Sequence, residues 1–164
     1  MPLYVKWVND FEVTRGIDLG TLPPIRPITL EAEEAWYEST IKDERNFSFA
    51  IYETSTMRPI GNTALMDVDL VHRTAEFGIL IGEKDCWGKG YASDAVWTVI
   101  NELFTQPEIQ RIVAETRADN AAAIRLFEHC GFRTAERVTR RGPDGEHTWL
   151  QLELTRAEYL GQTE

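Results

Sequence analysis

Cysteine is scarce in this 164-residue chain, which has only Cys86 and Cys130. Two thiols so far apart, in a chain that opens without a signal-peptide pattern, exclude a disulfide framework and point to free cysteines in a reducing, cytoplasmic setting. Histidine is nearly as rare, and His129 and His147 show no metal-ligand spacing with each other or with the cysteines, so no metal site is expected. Long apolar runs are missing: each is interrupted well before the ~20 residues that a membrane-spanning helix needs, so no membrane partner is expected. Positive charge is in deficit, with 17 Lys and Arg against 27 Asp and Glu and a formal net charge of −10. That balance argues against a broad footprint on nucleic acid and favours cationic or neutral partners. Internal repeats, low-complexity segments and dividing linkers are also absent. What is present, 43 % apolar residues, suffices for the core of one domain over residues 1–164.

The chain opens on an ambiguous segment, residues 3–12, in which Leu3, Val5 and Trp7 alternate like a strand while Tyr4, Trp7 and Val8 share a helical face; helix is the favoured reading. Gly16, Gly20, Pro23, Pro24 and Pro27 then mark a loop. Thr29 or a neighbour caps a helix through Glu31, Glu33, Glu34, Trp36 and Tyr37, its acids crowded into the first turn where the dipole favours them. Residues 46–53 and 59–70 alternate as the strands of a hairpin, and residues 75–81 form a third strand ending at Gly82. After a glycine turn, Ala92, Ala95, Val96, Val99, Ile100, Leu103 and Phe104 form one continuous apolar helical stripe, which Pro107 ends. Residues 111–117 read as a strand, and Asp119 or Asn120 caps a second helix that Gly131 stops. Residues 132–140 and 147–154 form a closing hairpin over the turn at residues 142–145, and residues 156–160 a short helix or coil. Strands in front, a β-α-β-α centre and a closing hairpin predict a mixed sheet of α+β or α/β class.

Chemistry concentrates at Trp87-Gly88-Lys89-Gly90-Tyr91-Ala92. The motif opens the long helix, where free backbone N–H groups and the dipole favour an anion and glycines permit its close approach. A Walker A loop fits poorly, because five residues instead of four separate Gly82 from Gly88 and Gly90 takes the hydroxyl position. A dinucleotide fingerprint fits poorly too, since five residues intervene after Gly82 and Ser93 stands at the last position.

A third pattern fits better. Residues 75–95, followed after a helix and a strand by residues 119–132, resemble the acetyl-CoA signature of the GNAT N-acetyltransferase superfamily. Residues 72–77 and Trp7-Val8-Asn9-Asp10 are similar to its branch of ribosomal-protein N-terminal and spermidine acetyltransferases. The resemblance implies a central, mostly antiparallel mixed sheet, flanked by helices and splayed at a coenzyme cleft. It implies acetyl-CoA as co-substrate, held by Ile79, Leu80, Ile81, Trp87, Gly88, Lys89, Gly90, Tyr91, Ala92, Ser93, Asn120, Ala123 and Phe127. The backbone of residues 79–81 would pair with the pantetheine arm, one N–H polarising the acetyl carbonyl. The acceptor, a small-molecule amine or a protein N-terminus, would enter near Trp7, Asp10, Glu34, Tyr37 and the Arg140-Arg141 turn, and a homodimer is the family expectation. Three departures stand out. Asp85 replaces a common Gln or Arg three residues before the first glycine. The strand that usually precedes the first helix is missing or replaced by the N-terminus. Phe127 stands where many members carry a tyrosine thought to protonate the leaving thiolate.

Acetyl transfer to an amine needs a neutral amine, a polarised carbonyl and a tolerable leaving group. Glu76, on the strand leading into the cleft, is the first choice of general base; the competing reading pairs it with Arg73, Arg111 or Arg117 across the sheet. Asp67, Asp69 and His72 are weaker candidates. Asn120, the second residue given a catalytic role, also reads as a plain N-cap. Phe127 cannot donate a proton, and Cys130 one turn on reads as an inert small hydrophobe. A non-catalytic acyl-CoA sensor is therefore the alternative to an acetyltransferase.

Overall fold

The structure, a computed structural model, describes residues 2–17, 27–142 and 145–162. Six strands form one sheet, β1 (Phe47–Glu53), β2 (Arg58–Asp69), β3 (Thr74–Ile81), β4 (Arg111–Arg117), β5 (Arg133–Gly142) and β6 (Gly145–Thr155). Their order is β1-β2-β3-β4-β6-β5, antiparallel throughout except where β3 and β4 run parallel. Among the described residues three helices precede the sheet, α1 (Pro2–Val8), α2 (Phe11–Thr14) and α3 (Leu30–Thr40); α4 (Tyr91–Thr105) follows β3, α5 (Ala121–His129) follows β4 and α6 (Arg156–Gln162) ends the described chain. The mixed α+β class expected from the element pattern is the observed one. Among the described residues no strand precedes α1, and Gly20, Pro23 and Pro24 of the expected loop lie outside those residues. Among the described residues, too, no helix is long and apolar enough to cross a membrane.

The main core lies on the sheet face covered by α4 and α5. Val96, Ile100, Leu103 and Phe104 of the predicted stripe meet Phe77, Ile112, Ala114, Leu152 and Leu154 there. Burying each large member contributes about 1.5–3 kcal/mol. The opposite face carries α1 and α2 through a smaller cluster of Trp7, Val13 and Leu80.

Both helices owe their positions to the Trp7-Val8-Asn9-Asp10 segment. The Trp7 indole donates to Glu83 Oε1 at 2.8 Å. Asn9 clasps Ile28 through both of its backbone polar groups. Asp10 caps α2 by accepting from the Glu12 N–H and pairs with Lys84 at 2.7 Å. Trp7 also lies so close over Gly82 that a Cβ there would sit 2.1 Å from its ring. Gly82→Ala is therefore expected to cost about 1–3 kcal/mol by overpacking, seen as a lowered thermal midpoint with the circular-dichroism spectrum unchanged.

Candidate active site

The parallel contact between β3 and β4 is short. Pairing covers Thr74 with Arg111, Ala75 with Ile112 and Glu76 with Val113, and then stops, although β3 continues to Ile81 and β4 to Arg117. The two strands therefore diverge from Glu76 onward, and a cleft of about 620 Å³ opens between them. Strand alternation shows which groups it receives. Gly82 N–H donates to Ile60 O, and in the antiparallel register this commits the backbone of Gly82, Leu80 and Gly78 to β2. The backbone of Ile79 and Ile81 consequently points to the unpaired edge. Of the three residues expected to lend their backbone, Leu80 instead sends its side chain to Trp7 and Val13.

At the wide end lies the start of α4. Gly90 is the N-cap with φ of 87° and no side chain caps the helix; Gly88 has φ of 70°. The N–H groups of Tyr91, Ala92 and Ser93 precede the first intrahelical bond, from Asp94 N–H to Gly90 O, so they face the cleft without helical acceptors. A Cβ built on Gly88 or Gly90 meets nothing within 4 Å. These glycines thus serve the left-handed turn, and the space before them is open. Trp87 supports the loop by donating from its indole to Ile81 O at 2.8 Å. Gly88, Gly90, Tyr91, Ala92, Ser93 and Trp87 all line the cleft, as do Ala123 and Phe127, whereas Lys89 does not. The charge of Lys89 acts instead on Glu53 and Asp85.

Asn120 resolves the choice of cap for α5. Its Oδ1 accepts from Ala123 N–H at 3.2 Å and its Nδ2 donates to Thr116 Oγ1 at 3.1 Å, while Asp119 pairs with Arg117. One Nδ2 hydrogen is left for a ligand, and Asn120 lines the cleft. Thr116 in turn donates to Gly16 O at 3.2 Å, and a Cβ on Gly16 would overlap the Asn120 side chain. The segment after α2 therefore reaches across the divergence to β4.

Glu76 sits where the strands part, on the face opposite Phe77, and does not itself line the cleft. None of the three arginines weighed as its partner takes it: Arg73 donates to Pro107 O and Glu108 O, Arg111 pairs with Glu153 and Arg117 with Asp119. Partial desolvation, then the negative charges of Glu115 and Asp67, raise the Glu76 carboxyl above its ordinary value, with Arg140 acting the other way. The side chain is exposed, so this desolvation is partial and the two neighbouring carboxylates add to it. Glu115 is a cleft residue that no sequence signal singles out. It holds Arg140 in a two-point pair, 2.7 Å at Oε2, and the guanidinium lies over the Trp149 ring.

The residues expected around the acceptor divide. Trp7 is 4 % exposed and serves the packing of α1, Asp10 is a cap and ion-pair partner, and Glu34 and Tyr37 are exposed on α3. Phe127 is 3 % exposed, its ring edge-on to Phe77 and Phe132. Burial pushes the Cys130 thiol up to about 11, which fits an inert core residue. The place of the usual loop Gln or Arg is taken by Asp85, which binds Arg58 at 2.7 Å, so a cation is present beside the loop from another strand.

The sequence profile of the acetyltransferase (GNAT) domain family matches residues 1–133, and the chain belongs to that family. It is 30 % identical over 99 residues to a spermidine N(1)-acetyltransferase of Vibrio cholerae, covering 60 % of this chain and 56 % of the relative. It is 33 % identical over 87 residues to an uncharacterized N-acetyltransferase, p20, of Bacillus licheniformis, covering 53 % and 47 %. The matched stretch thus spans about half the length of these curated relatives. In fold, the chain is similar to a crystal structure of spermidine N-acetyltransferase from Vibrio cholerae in complex with CoA and spermine, with a TM-score of 0.81 at 21 % identity over 97 % of this chain and 91 % of that one.

Proposed function

We propose that this chain, as one domain over residues 1–164, transfers the acetyl group of acetyl-CoA to a primary amine by direct attack on the thioester. A small cationic amine is the preferred acceptor and a protein N-terminus the other. The observation that carries this reading is the divergence of β3 from β4, with an uncapped helix start at its mouth and a carboxylate at its apex. Acetyl-CoA, when bound, supplies the activated acyl group. The amides of Gly88 to Ser93 suit its diphosphate, and the edge formed by the Ile79 backbone and the Ile81 N–H, with Ile81 O already taken by the Trp87 indole, suits the amides of the pantetheine arm. An N–H on that edge polarises the carbonyl. Glu76 takes the proton of the incoming ammonium, directly or through water, and its raised carboxyl suits that task. Glu115 is paired with Arg140 and Asp67 with Arg45, so Glu76 is the carboxylate on this side that favours a cationic acceptor.

Since Phe127 is locked in the core and the Cys130 thiol is buried, no side-chain acid serves the departing thiolate, which takes through water the proton that the attacking nitrogen loses as the amide forms. A thiol of pKa about 8.5 leaves tolerably without help, so turnover is reduced and not abolished. Phe127 is also the observation that favours the second reading, a protein that binds acyl-CoA without turnover. The deciding experiment follows free thiol release from acetyl-CoA against a panel of amines, alongside thermal stabilisation by acetyl-CoA. Release with at least one amine supports the transferase, and stabilisation without release supports the binding protein. Absence of stabilisation by acetyl-CoA, succinyl-CoA and CoA contradicts both.

The same reading includes a homodimer and the cytoplasm. The two free cysteines fit a reducing compartment, and sedimentation at micromolar concentration tests the dimer.

The pH dependence follows from Glu76. The base acts only when deprotonated, and its pKa is raised, so kcat/KM is expected to fall with decreasing pH through a midpoint above the ordinary glutamate value of about 4.3. A midpoint at or below that value contradicts the assignment.

A further inference from the structure

Glu76 has no ion-pair partner among the described residues, although two further carboxylates, Glu115 and Asp67, act on it. Glu115 stands two residues beyond Val113, the β4 partner of Glu76. Strand alternation therefore puts Glu76 and Glu115 on one face of the sheet, on either side of the point where β3 and β4 part. Neighbouring carboxyl groups do not ionise independently, because each negative charge raises the cost of the next. An unpaired Glu115 would keep Glu76 protonated to higher pH and so withdraw it as a base.

Glu115 is instead met by an arginine from two strands away. Arg140 lies on β5, and β6 separates β5 from β4, a span of about 10 Å at ~4.8 Å per strand. Its side chain crosses β6 over the Trp149 ring, with the guanidinium carbon 5.6 Å from the ring centroid, and both terminal nitrogens donate to the two oxygens of Glu115. Trp149 is 5 % exposed and gives the guanidinium a fixed floor. An exposed ion pair is ordinarily loose, but a two-point fork with a stacked guanidinium is directional. The other described charges around Glu76 have partners of their own. Asp67 on β2 pairs with Arg45 at 3.2 Å, and Arg111 on β4 pairs with Glu153 on β6 at 3.4 Å. His147, opposite Arg140 in the β5–β6 register, acts on Asp119. Arg45 is shared with Asp43, and Asp67 is largely exposed, so the fork on Glu115 is the firmer of the two screens beside Glu76.

We propose that Arg140 is a positioning residue for acetyl transfer: forked onto Glu115 across Trp149, it cancels the charge beside Glu76 and leaves Glu76 the free carboxylate where β3 and β4 part. The inference rests on the reading of Glu76 as the base. It is tested on the full chain and its Arg140→Gln, Arg140→Lys and Glu115→Gln variants by two readouts. One is the lower limb of the pH profile of kcat/KM; the other is the carbon-13 carboxyl resonance of Glu76, titrated by NMR and assigned through its loss in Glu76→Gln. Arg140→Gln removes the cation and is expected to move both midpoints up by roughly half a pH unit or more. Glu115→Gln removes the anion and is expected to move both down. Arg140→Lys keeps the charge without the fork and is expected to displace them less than Arg140→Gln does. Loosening of the fold cannot produce displacements of opposite sign, so the pair of variants separates positioning from a structural role. If Arg140→Gln fails to fold, Glu115→Gln decides alone, and an unmoved or raised midpoint there overturns the proposal. Midpoints that stay put in both variants, or move in one direction, overturn it as well, while the base reading stands if Glu76→Gln still removes the limb. Resonance displacements of the expected signs, in a chain that transfers no acetyl group or whose kcat/KM does not follow them, support the charge arrangement and overturn the base reading instead.

Discussion

Glu76→Gln is expected to lower kcat/KM for amine acetylation by on the order of 10²–10⁴-fold, the range that a positioned acid or base contributes, with CoA affinity unchanged. The separation of effects follows from the layout. Glu76 occupies the apex of the divergence and faces away from Phe77, whereas coenzyme contacts are expected from the backbone of Ile79 and Ile81 and from the start of α4. Glutamine keeps the shape and removes the acceptor of the proton. The lower limb of the pH profile should vanish in the variant, leaving the dependence contributed by the amine itself. Loss of CoA binding in parallel with activity, measured by calorimetry, would assign Glu76 a structural role.

Placing Asp at both Gly88 and Gly90 is expected to weaken CoA binding by on the order of 100-fold or more, since juxtaposed like charges cost several kcal/mol. Backbone strain adds to this, because φ values of 70° and 87° lie where an L-residue costs roughly 1–2 kcal/mol. A side chain at either position meets nothing in the protein itself, so the fold survives and the thermal midpoint falls only by the strain. Titration calorimetry on the folded variant reads the effect, and an unchanged affinity would refute the diphosphate assignment.

The parts of this structure that were legible in the sequence are those governed by local periodicity and punctuation. The stripe from Ala92 to Phe104 defined α4, the β-formers of residues 111–117 matched β4 residue for residue, and Gly131, with φ of 86°, ended the segment after α5. The glycine loop was legible because a helix start and a left-handed turn need only neighbours in sequence. What was not legible depends on contacts between distant segments. Nothing local reveals that β3 and β4 part after Glu76, because that is a property of register. Glu115, 39 positions from Glu76, reaches the cleft only through that register, and Arg58 meets Asp85 only through the hairpin and β3.

The acids of α3 show the limit most clearly. Glu33 and Glu34 are equivalent in composition and helix-dipole terms, and Glu34 was the one expected to face the acceptor. The helix instead buries Glu33 beside Tyr4 and leaves Glu34 in solvent, because rotation about the helix axis is set by the packing of α1 and α3. Trp7 illustrates the converse. Its place in a segment that resembles family sequence suggested an acceptor contact, yet Gly82 gives its ring room just after β3, where it packs with Val13 and Leu80 and joins α1 and α2 to the sheet.

The central claim is that the amides opening α4 and the free edge of β3 together hold a diphosphate-bearing thioester carrier. A crystal structure of the chain grown with coenzyme A tests it most directly. The account predicts the diphosphate oxygens within hydrogen-bonding distance of the N–H groups between Gly88 and Ser93, and the pantetheine amides paired with Ile79 and Ile81. Coenzyme bound elsewhere, or β3 and β4 zipped together past Glu76 with no room for it, would contradict the account.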